Sequence, residues 1–220
     1  MKKLVVSVLL LYPMFSSAAT LQFNATGNNF KFSNYGITPN STGSRNVGQF
    51  GSFSIAGSGG GTFSATYLGQ ESGYANNYFQ KLELGTQTMG ESTLGSTLSS
   101  SITGPGLIDF GFFSTNKLGT FGEFDNGDAA KPTLGFVVLK QFVKSPTQTS
   151  VASAGYDNTT TFGSFDYLIG FNDNAKVDAD YDDYVIGIKF TPTAVPLPAA
   201  LPLMASAIGL FGFGANRRRV

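Results

Sequence analysis

The chain has 220 residues, with 14 basic and 14 acidic side chains, 28 glycines, 21 phenylalanines, and no histidine, cysteine or tryptophan. Without histidine there is no Ser-His-Asp triad, no His-ligated zinc and no imidazole proton shuttle. Without cysteine there is no thiol nucleophile, no disulfide and no site for a lipid anchor, so a core must come from Phe, Leu, Ile, Val and Tyr alone.

In chain order, Met1-Lys2-Lys3 is a positive start, and residues 4–15 are an apolar core broken only by Ser7 and Pro13. Ser17-Ala18-Ala19 then places small residues where a signal peptidase reads. Cleavage is expected after Ala19, with Ala18 as the neighbouring alternative. The apolar core is too short to span a bilayer, which fits a secretory signal over residues 1–19 rather than an anchor.

Residues 20–191 have a length suited to one exported domain. Two-residue alternation recurs through them, separated by turn clusters. Phe30 and Phe32 follow the turn at Gly27-Asn28-Asn29, and Phe53 and Ile55 share a strand face before the run Gly57-Ser58-Gly59-Gly60-Gly61. Phe63, Ala65 and Tyr67 begin the next strand, so that Gly-rich run reads as a hairpin loop. Leu82 and Leu84 follow, then Ile108, Phe110 and Phe112, then Leu134, Phe136 and Val138. Phe165, Tyr167, Ile169 and Phe171 alternate, as do Tyr184, Ile186, Ile188 and Phe190, which puts Val185 on the opposite, less buried face. Residues 85–106 are patterned weakly and read as a long loop or an irregular edge, and residues 146–158 as a loop. Eight to ten such strands predict an all-β fold, a sandwich or a jelly roll.

One cluster carries chemistry. Asp166 to Asp183 contains six of the 14 acidic residues, including Asp173, Asp178, Asp180, Asp182 and Asp183. Carboxylates this close repel one another unless solvated or neutralised, and hard oxygen donors on a loop suit Ca²⁺. The other reading is a solvated acidic hairpin loop. The spacing is not that of an EF-hand, because Asp183 stands where the loop glycine belongs. Asp178-x-Asp180-Tyr181-Asp182-Asp183 resembles the D-x-D-Y-N-D segment of β-sandwich domains in exosortase-sorted surface proteins. The Glu-Asp pair those domains carry upstream is matched here only by Asn172-Asp173. The cluster itself leads to the expectation that Asp178, Asp180, Asp182 and Asp183, with Asp173, bind one Ca²⁺ and pin the hairpin between the last two strands. Asp125-Asn126-Gly127-Asp128 is a second acidic stretch, with ordinary turn chemistry.

The last segment, residues 195–220, reads Val195-Pro196-Leu197-Pro198-Ala199, then an apolar run, then Arg217-Arg218-Arg219. As a helix, the 17 residues from 199 to 215 are about 26 Å long, the short end of what crosses a bilayer. The arginines would stay on the cytoplasmic side and the Pro-rich motif would face outward. This order resembles the VPLPA variant of the PEP-CTERM signals recognised by exosortases in Gram-negative bacteria. The resemblance implies export, a transient inner-membrane anchor, and processing by signal peptidase and then exosortase.

Five of the 14 basic residues belong to the two ends, so the exported domain carries nine against 14 acidic ones, a net charge of −5. An acidic domain with no basic stripe is a poor nucleic-acid binder. No nucleophile elbow, phosphate loop or kinase signature is present. The reading is a non-catalytic surface or extracellular-matrix protein associated with exopolysaccharide or biofilm. The alternatives are a carbohydrate-binding module using Tyr and Asp, or a polysaccharide-active hydrolase built on a carboxylate pair.

Overall fold

The computed structural model describes residues 17–26, 30–31, 47–70, 76–81, 87–91, 93–116, 119–129, 134–139, 165–173, 181, 183–194 and 206. Their strands are β1 (Thr20–Ala25), β2 (Phe30–Lys31), β3 (Val47–Gln49), β4 (Gly51–Ala56), β5 (Gly61–Gly69), β6 (Asn76–Lys81) and β7 (Gln87–Gly90). There follow β8 (Thr97–Ile102), β9 (Gly106–Leu107), β10 (Phe110–Asn116), β11 (Gly119–Asp125), β12 (Leu134–Leu139), β13 (Tyr167–Asp173) and β14 (Tyr184–Pro192). They form antiparallel sheets of seven strands (β2-β3-β12-β13-β14-β5-β8), four (β11-β10-β6-β7) and three (β1-β4-β9). The protein is an all-β sandwich.

Alternation makes the core. Phe63, Ala65 and Tyr67 of β5, Phe136 and Val138 of β12, Ile169 and Phe171 of β13, and Ile186 and Ile188 of β14 turn one face of the large sheet inward. Phe79, Phe110, Phe112 and Phe124 of the four-stranded sheet and Phe53 and Ile55 of the small one meet them. The Phe110 ring lies 5.4–6.2 Å from the rings of Phe53, Phe63, Phe79, Phe112 and Phe136, so one side chain touches all three sheets. Phe112 stacks on Phe171 at 4.8 Å. Aromatic pairs add about 0.5–1.5 kcal/mol each beyond the area they bury, which suits a chain that has no disulfide.

Several expectations change. The Gly-rich run at residues 57–61 does not close a hairpin: β4 pairs with β1 and β9, while β5 pairs with β14 and β8. The run crosses from one sheet to another, with Gly57 at a φ of 95°. Of the two readings of residues 85–106, the long loop gives way to the edge: β7 and β8 each lie at the edge of a sheet, followed by the start of β9. Val185 is as fully buried as Ile186, because the outer face of the large sheet is covered too. Phe165 packs over Gly187, and Tyr181 over Gly170, where any Cβ would collide with them. Tyr181 is fully buried at a φ of 57°, a conformation that costs a non-glycine residue about 1–2 kcal/mol. Its ring meets Phe50 edge-on at 5.7 Å. Leu82, Leu84 and the expected loop at 146–158 lie outside the described residues.

Candidate functional site

The acidic hairpin meets the body of the sandwich at a buried polar cluster. Asp173 ends β13 and is 1% exposed, because β13 runs through the middle of the large sheet. Its N–H donates to Asp183 Oδ2 at 2.9 Å, across the mouth of the hairpin that leads into β14. Asn77 of β6, also fully buried, donates through Nδ2 to Asp173 Oδ2 at 3.2 Å and to the Asp183 carbonyl at 3.3 Å. Ser114 of β10 donates its hydroxyl to the Asp173 carbonyl at 3.1 Å. Strands of both large sheets are thereby tied at one point.

Glu91, just after β7, completes the cluster and accepts the Asn77 N–H at 2.6 Å. Burial pushes its carboxyl up to about 7, and the Asp173 charge adds to this. Hydrogen bonds from the Asn77 backbone and from the Asn77 and Gln70 side chains pull the other way. Burial likewise raises the phenols of Tyr67 and Tyr184, with Glu91 a lesser cause in both. These two rings stack at 4.8 Å, and Tyr184 donates to the Met89 carbonyl at 2.6 Å. Asn77 Oδ1 and Gln70 Oε1 are buried without a hydrogen-bond partner. Chemically the cluster is rich in oxygen acceptors and poor in donors, an environment that favours a bound proton or cation.

Of the residues expected to hold calcium, Asp173 and Asp183 come together here, while Asp178, Asp180 and Asp182 lie outside the described residues. Among the described residues no group of three or more acidic side chains is arranged to hold a metal ion. Asn172 is fully buried beside Asp173.

No family model, curated protein or solved structure matches the chain. The cluster has to be read from its own chemistry.

The second acidic stretch forms the expected turn, with the Asp128 N–H donating to the Asp125 carbonyl at 3.0 Å and Gly127 at a φ of 105°. Asp125 pairs with Gly111 of β10, whereas Asp173 touches Ser114, three residues or about 10 Å further along that strand. Burial raises the Asp125 carboxyl, with Asp128, Glu123 and Asp109 adding to it. Asn126, between the acids, is the residue that sequence reading undervalued. Its side chain is 6% exposed. Nδ2 donates to the carbonyls of Phe53 (2.8 Å) and Ile108 (2.7 Å), and Oδ1 accepts the Phe53 N–H at 2.8 Å. It stitches the small sheet to the β10–β11 hairpin.

Near the expected N-terminal cleavage point, Ala19 lies in the core at 1% exposure, and the Ser17 carbonyl accepts from Ser58 Oγ at 3.4 Å. Cleavage after Ala19 would therefore remove one core methyl. Val195, Pro196, Leu197, Pro198, Ala199 and Arg217–Arg219 lie outside the described residues. Among the described residues no helix is long and apolar enough to cross a membrane.

Proposed function

We propose that the chain is a non-catalytic, exported surface or extracellular-matrix protein of a Gram-negative-type bacterium. In this reading signal peptidase and an exosortase process it, and the mature domain associates with exopolysaccharide. The observation that carries the reading is the order of motif, apolar run and arginines over residues 195–219. Its support from the fold is positional: β14 ends at Pro192, so the motif begins three residues after the last strand. Mass spectrometry of the mature protein should find no peptide from Leu203 onward. Replacing both Pro196 and Pro198 with alanine should leave a larger, membrane-retained form. Normal processing of that double variant would sink the sorting assignment.

Calcium belongs to the same proposal. Asp173 and Asp183, with Asp178, Asp180 and Asp182, would hold one Ca²⁺ and pin the β13–β14 hairpin. What supports this is the pairing of Asp173 with Asp183 at the mouth of that hairpin, beside acceptors that lack donors. Binding would stabilise the fold by about 2.7 kcal/mol at a hundredfold excess over Kd. Melting temperature should rise in calcium over chelator for the wild type, but not for Asp180→Asn with Asp183→Asn. Equal melting of the wild type in both buffers would leave a solvated acidic loop.

A further inference from the structure

Strand β8 closes one side of the seven-stranded sheet, and among the described residues no strand pairs with its outer edge. An open edge presents unpaired N–H and C=O groups, and proteins normally blunt it with lysine, proline or a bulge. Within β8 itself none of these is present; a bulge, with Gly95 and Ser96 both bonded to Tyr67, lies just before it. Thr97–Ile102 has the sequence TLSSSI, and its register with β5 runs without a shift. Residues 92–108 carry no charge at all. The Tyr67 N–H donates to the Ser96 carbonyl. Because bonding alternates along an antiparallel pair, Leu98, Ser100 and Ile102 bond to β5, and the backbone groups of Thr97, Ser99 and Ser101 point outward.

Two further observations say what the edge accepts. On the solvent face β8 already pairs hydroxyl to hydroxyl with β5: Ser64 with Ser99 and Thr66 with Thr97, both at 2.9 Å. The partner strand reads Thr62-x-Ser64-x-Thr66 and β8 itself reads Thr97-x-Ser99-x-Ser101, so β8 is chemically a near copy of the strand it binds. On the inner face, the Ser100 hydroxyl is buried without a hydrogen-bond partner, in a residue 4% exposed. It lines a shallow groove with Phe63, Phe79, Gln87 and Leu98.

We propose that β8 is a self-association edge, at which two copies of this chain pair β8 with β8 antiparallel about a two-fold axis through Ser100. In that register Ser100 faces its own copy at a pair without backbone bonds, where side chains approach most closely. Leu98 of each copy faces Ile102 of the other over the groove, and Ser99 exchanges backbone bonds with Ser101. Two seven-stranded sheets become one of fourteen. No like charges oppose the pairing.

The absence of native cysteine makes a clean test. Full-length protein in mild detergent should sediment as a dimer. Ser100→Cys should form an intermolecular disulfide more than about tenfold faster than the control Thr191→Cys, since antiparallel neighbours fall within disulfide reach. Ser101→Lys, at an exposed position, should yield a monomer with unchanged circular dichroism. A Ser99→Pro variant removes one outward N–H and should do the same. A monomeric wild type overturns the proposal. So does a dimer that survives both edge variants, or a Ser100→Cys no faster than the control.

Discussion

Replacing Asn126 with alanine should be among the most damaging polar substitutions in this protein, and the bonds say by how much. The Phe53 carbonyl keeps a partner without Asn126, because the Ile108 N–H also reaches it at 3.1 Å. The Ile108 carbonyl likewise keeps the Phe110 N–H at 3.1 Å. Each loses one of two bonds, about 0.5–1 kcal/mol apiece. The Phe53 N–H has only Asn126 Oδ1, and orphaning it in the core costs about 1–3 kcal/mol. The total is about 3 kcal/mol, or roughly 6–12 °C in Tm for a domain of this size. Asp128→Ala, two residues away, removes only an exposed bond to the Asp125 N–H and should cost less than about 0.5 kcal/mol. Urea melts of the two variants beside the wild type give the comparison. A loss below about 1 kcal/mol for Asn126→Ala would mean that the stitch between the sheets contributes little, and the reasoning would fail.

Val185→Ala should cost about 2 kcal/mol, because both methyl groups leave a fully buried site; a cost near zero in a denaturant melt would mean that Phe165 and Tyr181 do not seal the outer face. Gly187→Ala would push a methyl into the Phe165 ring and should destabilise by about 1–3 kcal/mol, a cost that should vanish when it is measured against a Phe165→Ala background. For Glu91, burial places the folded carboxyl at about 7, above its ordinary 4.5, so between those values the native state holds more protons than the unfolded one. Stability should therefore fall as pH rises from about 4.5 to 7 and level off above. Glu91→Gln should flatten that slope in chelator-treated buffer. An unchanged slope would place the titration elsewhere.

Strands whose inward positions are all apolar were legible from sequence: β5, β12, β13 and β14 have their expected faces, except that Phe165, expected inward with Tyr167, lies just before β13 on the outer face over Gly187. Strand β8 was not, because Ser100 stands inward between Leu98 and Ile102 and breaks the alternation, while Thr and Ser fill the other face. Strand β6 hides for the same reason, with Asn77 inward beside Phe79. The Gly-rich run at 57–61 looks the same whether it turns back or crosses over. Only the pairing of β5 with β14, more than a hundred residues away, distinguishes the two. Burial of Val185 depends on Tyr181 and Phe165, which reach Gly170 and Gly187 from outside the strand's own pattern. The acidic hairpin was visible as a charge cluster. Its inner partners were not: Asn77 and Glu91 are single polar residues in unrelated stretches, and nothing local marks them as neighbours of Asp173.

The order of the large sheet bears on how the protein is made. The last strand in the sequence, β14, is an interior one, flanked by β13 and β5. Synthesis from the N-terminus presents β5 long before its neighbour β14 arrives, and non-local pairings of this kind form slowly. The largest sheet stays split until the chain has been made as far as residue 192. A product truncated ahead of Tyr184 would lose the join between the two halves of that sheet, and quality-control proteases would meet an open core rather than a frayed rim.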